Sequence, residues 1–453
     1  MILKTMLYSK MYSFSSVKEV LAKANERKSG DTLAGLGADS DLERVAAKVV
    51  LADMTVGEIT ENPVVPYDED SVTRIILDDL DRDIYEKVKG VTIGDLREWI
   101  LDNCRTSEEL LTLSKGLSSE VIAAVCKLMS NLDLMYASSK FEITAHCNTT
   151  IGRRGTFSSR LQPNHPTDSV KGVTSSLLEG LSYGIGDALF GLNPAVDTEE
   201  STVDILNLFN DVKTRLEIPT QICVLSHITT QMKALGHGAP MDLCFQSIAG
   251  SEKSLASFGV DTGLLAEAND MMKELSTAQG PNYMYFETGQ GSELSSSGHN
   301  GADQQTMECR CYGLARHYNP FLVNTVVGFI GPEYIYDTKE LIRAALEDVF
   351  CGHMHGLPMG CDICYTNHMK ADQNDVDSLL VMLASSGCHY VMGVPEGDDI
   401  MLMYQSTGYH DIAAVREMLN KRPIAEFDSW LEKHGITENG KLTSLAGDPT
   451  LFL

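Results

Sequence analysis

The residues best placed to do chemistry stand at the ends of short apolar runs. Asn193 ends DALFGLN, His227 lies in TQICVLSHI, Gln246 in LCFQS, and Glu287 ends NYMYFE. Asp362 lies within PMGCDICY, and Asp398 with Asp399 follows HYVMGVP. A polar residue that closes an apolar strand can simply cap the next helix, which is the plain alternative for Asn193 or Asp399 taken alone. Glu287 is more suggestive. The run Tyr283 to Phe286 carries its carboxylate to a place where losing water is costly unless a cation compensates. Arg160 and Gln162 lie in IGRRGTFSSRLQPNHP, a Gly- and Pro-bearing segment long enough to reach the same region. The set is weighted towards hydrogen-bond acceptors.

Two further segments invite chemistry and fit it less well. CGHMHGLPMGCDIC offers Cys351, His353, His355, Cys361 and Cys364, all zinc-ligand types. Within a strand, however, Cys361 and Cys364 point to opposite faces, and no second CxxC pair follows, so buried reduced cysteines without a metal are expected. The Gly-rich FETGQGSELSSSGHNGAD, residues 286–303, suits close backbone approach to a bulky ligand. It matches neither the dinucleotide fingerprint nor the P-loop, and no GxSxG elbow or HExxH occurs.

Elements that could position these residues follow from periodicity. Strands are expected at 142–148, 187–193, 220–228, 243–247, 282–287, 321–328, 358–365 and 389–395, each followed by a helical stretch. Ile205, Phe209, Val212 and Leu216 form one apolar stripe. Asp337 with Glu340 opens a helix, and Gly387 closes another. Alternating strands and helices imply a parallel sheet, and eight pairs in about 270 residues is the count of a (β/α)₈ TIM barrel, with a doubly wound open sheet as the alternative. In such barrels reactive groups collect at the C-terminal ends of the strands.

Upstream, residues 40–116 read as short helices. Thr55 with Glu58 and Thr92 with Asp95 form reciprocal caps, and Pro63, Pro66 and Asp68 to Asp70 mark a solvated loop. A longer helix from Ser118 would carry Val121, Val125, Leu128 and Leu132 on one stripe. The division expected is a helical N-terminal region over 1–116, a catalytic barrel over 117–411 and a short helical C-terminal extension over 412–453. The apolar tail SLAGDPTLFL could dock at an interface or fold back on its own domain.

The 453 residues carry 36 Lys plus Arg against 63 Asp plus Glu, a net charge of −27 that argues against nucleic acid as a partner. Hydrophobic residues at 43% and charged residues at 22% are ordinary globular values. No uncharged apolar stretch is long enough to span a bilayer, and the apolar run near the N-terminus is too short and interrupted for a secretory signal. An organelle transit peptide is the alternative reading of that segment. Eleven scattered cysteines suit a reducing cytosol.

Several long, irregular strings then carry a resemblance. TTIGRRGTFSSRLQPN, GIGDALFGLNP, FQSIAGSEKS, YFETGQGSELSSSGHNGADQQTME, GLARHYNPFLVNTVVGFIGPEYIY, GCDICYTNH and GDDIM occur in order. On them the chain resembles, essentially end to end, the large catalytic subunits of ethanolamine ammonia-lyase, adenosylcobalamin-dependent radical enzymes of bacteria. The doublet Arg153 and Arg154 departs from the pattern, which has an apolar residue and Pro before Gly155.

The resemblance implies a (β/α)₈ barrel and assigns roles. Substrate contacts fall on Arg160 and Gln162 after the first strand, Asn193 after the second, Glu287 at the end of the fifth and Asp362 on the seventh. Glu287, Arg160 and Asp362 are the implied catalytic residues, and corrin contacts fall on Pro194, Gln246, Ser295 and Met401. An ethanolammonium cation suits the carboxylates of Glu287 and Asp362 and the carbonyl oxygens of Gln162 and Asn193. Arg160 would stabilise charge on the substrate oxygen, and Glu287 would share a proton with substrate as the amine migrates. The implied reaction starts with homolysis of the cobalt to carbon bond and hydrogen abstraction from the carbinol carbon, and ends in acetaldehyde and ammonia.

Base-on cofactor binding is expected because the DxHxxG signature is absent. The resemblance further implies a separate small subunit that completes the corrin site, large subunits associated as a trimer of dimers, and housing in a bacterial microcompartment. Two rivals stand beside it: a lyase using Glu287, Asp362, Asp398 and Asp399 as Mg²⁺ ligands, and a non-catalytic assembly subunit.

Overall fold

Eight short strands pair in parallel around a closed core in a computed structural model that describes residues 2–453. They are β1 Ser158–Leu161, β2 Leu189–Leu192, β3 Ile222–Val224, β4 Cys244–Ser247, β5 Met284–Thr288, β6 Leu322–Val327, β7 Met359–Ile363 and β8 Tyr390–Gly393. Around the ring, β1 pairs with β2 and with β8, and each later strand follows its predecessor. The seam between β3 and β4 is bridged by the Leu243 N–H donating to the Ile222 carbonyl at 3.3 Å. Strands covered on both faces need nearly continuous apolar sequence, as β3 (ICV) and β6 (LVNTVV) show.

Helices follow the strands: α1 Val170–Ser182, α2 Glu199–Arg215, α3 Ile228–Gly236, α4 Thr262–Leu275, α5 Gln304–His317, α6 Thr338–Met354, α7 Gln373–Ser386 and α8 Tyr409–Met418. The α2 stripe buries Ile205, Phe209 and Val212. Asp337 caps α6 by accepting from the Lys339 and Glu340 N–H groups, and Gly387 ends α7 in the left-handed region at φ 87°. The doubly wound alternative is excluded by the sequential strand order, with β1 paired to both β2 and β8.

Four local expectations fail for identifiable reasons. Residues 142–148 are not the first barrel strand: Ala145–His146 pairs antiparallel with Thr150–Ile151 in a hairpin, and the strand comes later, at Ser158–Leu161. Its sequence SSRL hides it, because the groups that satisfy Ser159 and Arg160 come from distant segments: Asp187 for Ser159, Tyr285 and Asn193 for Arg160. The helix from Ser118 stops at Lys127, a second runs Asn131–Ser139, and Leu132 is exposed. The Thr92 cap is one-sided, with the Asp95 N–H donating to Thr92 but no return bond to the Thr92 N–H, whereas Thr55 and Glu58 form the full box. Asp70 is not solvated: it is buried against Arg310 at 2.7 Å.

Buried ion pairs hold the N-terminal helices to the barrel. Arg310 on α5 reaches Asp70 and Glu120, Lys127 reaches Asp303 at 2.7 Å, and Lys28 reaches Glu347 on α6 at 2.6 Å. At the other end, the tail folds back, and Phe452 stacks on Trp430 with ring centroids 5.6 Å apart. Among the described residues, no helix is long and apolar enough to cross a membrane.

Candidate functional site

Arg160 organises the C-terminal end of the barrel from within β1, not from a loop beyond it. It is 1% exposed, and its guanidinium spans the barrel. Nη1 donates to the Tyr285 hydroxyl at 2.9 Å, Nη2 to Asn193 Oδ1 at 2.7 Å, and Nε to the Gly191 carbonyl at 3.3 Å. Glu287 Oε1 lies 3.8 Å from Nη1. Burial opposes the guanidinium charge, but Tyr285, Glu287, Tyr404 and Asp362 outweigh it and hold Arg160 protonated.

Glu287 is the penultimate residue of β5 and is 16% exposed. In the parallel register it sits beside Asn324 of β6, whose Nδ2 donates to Oε1 at 3.0 Å. Burial raises its pKa to about 7, with the Asp362 charge adding to the rise and Arg160 and Asn324 opposing it. It therefore exchanges a proton near neutrality, as a general acid or base must. Asn324 Oδ1 is buried without a partner.

Asp362, on β7, accepts from the Tyr404 hydroxyl and from Ser406 Oγ, both at 2.8 Å. Burial raises its pKa too, against these two hydrogen bonds. Gln162 follows β1 directly. Its Nε2 donates to Asp399 Oδ2 at 2.6 Å and to the Tyr404 oxygen at 3.0 Å. Among the described residues, no group donates to Gln162 Oε1 or accepts from Asn193 Nδ2.

The five substrate residues implied by the resemblance thus come together, with one change of polarity. Because Arg160 can only donate, it claims the Asn193 carbonyl oxygen, and Asn193 offers its NH₂ rather than an acceptor. The four cofactor contacts implied by the resemblance are distributed around the rim. Pro194 follows β2, Gln246 lies inside β4, Ser295 is exposed on the short helix Ser292–Ser295, and Met401 is half-buried in the loop after β8. The Gln246 carbonyl oxygen accepts from the Ile228 N–H at 3.0 Å.

Other polar strand ends serve the scaffold. His227 caps α3, and its Nε2 faces the Phe258 carbonyl at 3.0 Å. Asp398 is exposed, and Asp399 is saturated by N–H donors, so the four carboxylates of the Mg²⁺ reading do not gather. Cys351, Cys361 and Cys364 are buried, free thiols, and burial pushes each well above the ordinary thiol range. His353 and His355 lie inside the fold, facing His389 and the Cys351 carbonyl.

Tyr285, Asn324, Tyr404, Ser406 and Asn164 were not singled out from sequence. Tyr285 and Asn324 look like ordinary strand residues. Asn164 stands inside RLQPN, and Tyr404 shortly after GDDIM, so adjacency to those strings was the available signal.

A family model described as ethanolamine ammonia lyase large subunit matches residues 12–445. The ethanolamine ammonia-lyase large subunits of Escherichia coli K12 and of Salmonella typhimurium LT2 are each 54% identical over 450 residues, covering 99% of this chain and 99% of theirs.

Proposed function

The chain belongs to the ethanolamine ammonia-lyase large-subunit family and is an enzyme, a lyase, and from that premise we propose that it deaminates ethanolamine to acetaldehyde and ammonia by an adenosylcobalamin-dependent radical reaction. The observation that carries the reading is the two-sided polarity of the site. Arg160 and the Asn193 NH₂ form a donor side, while Gln162 Oε1, Glu287 and Asp362 form an acceptor side. A molecule with a hydroxyl oxygen at one end and an ammonium at the other matches both.

On this reading Arg160 and Asn193 hold the hydroxyl and stabilise negative charge that grows on its oxygen. Gln162 and the two carboxylates receive the ammonium. Glu287, with its pKa near 7, gives or takes the proton that the migrating amine requires. The barrel core beneath, closed by Tyr285 and Tyr390, keeps water from below the reacting atoms.

The rim fits a large ring lying over the mouth. Val196, Phe329, Ile400 and Met403 expose apolar side chains on the segments after β2, β6 and β8. Pro194, Gln246, Ser295 and Met401 would hold adenosylcobalamin there, in its base-on form. When bound, the cofactor supplies the radical chemistry of hydrogen abstraction.

The family name, large subunit, implies a small-subunit partner. That partner would complete the cofactor site, with large subunits assembled as a trimer of dimers in the cytoplasm, inside a bacterial microcompartment. The test co-expresses the small subunit, adds adenosylcobalamin in the dark and follows acetaldehyde from ethanolamine. A complex that forms but yields no acetaldehyde refutes the activity, and protein-derived nitrogen coupling to cobalt in an EPR spectrum refutes base-on binding.

A further inference from the structure

We propose that Asp399 is the positioning residue that makes this site select an ammonium, by fixing the Gln162 amide with its carbonyl oxygen towards the ligand. The inference rests on the reading of the barrel mouth as the ethanolamine site.

Asp399 is 2% exposed. Its Oδ2 accepts from Gln162 Nε2 at 2.6 Å and Asn164 Nδ2 at 2.7 Å, and its Oδ1 accepts from the Met401 and Leu402 N–H groups at 3.0 and 2.8 Å. Four N–H donors converge on one carboxyl, and a carboxylate, which offers only acceptors, takes all four. The Gln162 end that faces this carboxylate is its NH₂, because an amide oxygen has no proton to donate. The second hydrogen of that NH₂ goes to Tyr404, whose own hydroxyl proton is given to Asp362. Both Gln162 hydrogens are spent within the protein, and Oε1 is left for the ligand. Through Asn164 the same carboxylate reaches further, since Asn164 Oδ1 accepts the Asn193 N–H at 2.8 Å.

Replacing the carboxylate by an amide reverses this polarity. The Met401 and Leu402 N–H groups belong to the backbone and cannot turn over, so they claim the one carbonyl oxygen of an Asp399→Asn variant. Its NH₂ then faces Gln162 and Asn164. Both must rotate their own carbonyl oxygens inward, and Gln162 presents an NH₂ to the ligand. An ammonium is repelled by that group, whereas a neutral hydroxyl accepts from it.

The test measures equilibrium binding of ethanolamine and of 1,2-ethanediol, a neutral ligand of similar size, to the complex with the small subunit and without cofactor. The parent complex prefers ethanolamine, and Asp399→Asn lowers the ratio of the two affinities by roughly tenfold or more. A fall of both affinities by the same factor would mark a merely structural role and overturn the inference. If Asp399→Asn unfolds, the paired exchange Asp399→Asn with Gln162→Glu keeps an N–H to carboxylate contact and presents an oxygen whichever way residue 162 turns. It is expected to retain the ethanolamine preference, and loss of that preference overturns the inference. A parent complex that binds ethanolamine no better than the diol overturns the site reading itself.

Discussion

Glu287 and Glu347 are both enclosed glutamates within reach of an arginine, yet they are held in opposite states. Glu347 is clasped by Lys28 and by Arg343, each at 2.6 Å, and although burial pushes its pKa up, these partners bring it down to about 2. Glu287 has Arg160 at 3.8 Å, one Asn324 hydrogen bond and a neighbouring Asp362, and burial carries it up to about 7. A carboxylate that fastens the fold is given close cations, whereas one that handles protons keeps an unfilled oxygen and a distant counter-charge.

The comparison breaks first at Glu287. Glu287→Gln should cut turnover by about 10² to 10⁴ while leaving the melting temperature nearly unchanged, and near-normal acetaldehyde production would remove Glu287 from the chemistry. Lys28→Met tests the other side. It leaves the Glu347 charge without one of its two cations and should cost about 3–5 kcal/mol in urea unfolding; a cost below about 1 kcal/mol would mean the pair is dispensable. Arg160→Lys keeps the charge but loses the fork that binds Tyr285 and Asn193 together, so kcat/KM should fall roughly tenfold or more; an unchanged value would show that charge alone suffices.

The same contrast extends to pH dependence. Glu347 is depressed in the folded state, so its contribution is fully present above its unfolded value near 4.5 and is lost as pH falls towards 2. Glu287 is raised, so the folded state binds the extra proton, and stability should rise as pH falls from about 7 towards 4.5. Acid titrations of parent and Glu287→Gln should differ in that upper window alone. Identical curves there would place the Glu287 pKa at its ordinary value.

Barrel strands with continuous apolar runs were legible from sequence, β2 to β8 all falling within or beside their expected spans. β1 was not, because Ser158, Ser159 and Arg160 look like loop residues until the partners of Ser159 and Arg160 are known. Ser159 accepts from Gly186 and donates to Asp187, and Arg160 is satisfied by β2 and β5. The N-terminal loop misled for the same reason. Asp70 reads as solvated among Asp68 and Glu69, and only the arrival of Arg310, 240 positions away, makes its burial affordable.

The sequence by itself determined the barrel, through seven apolar runs at βα spacing that became β2 to β8, and the family, through strings too long and irregular to arise by chance. It also brought forward the five residues at the proposed substrate site, because each stands beside such a run or within such a string. Tertiary structure alone decided their polarity. Whether an amide offers N–H or oxygen depends on which groups from distant segments bind its other end, as Arg160 decides for Asn193 and Asp399 for Gln162. A side chain's type states what it can donate and accept, while only its packed neighbours determine what remains for a ligand.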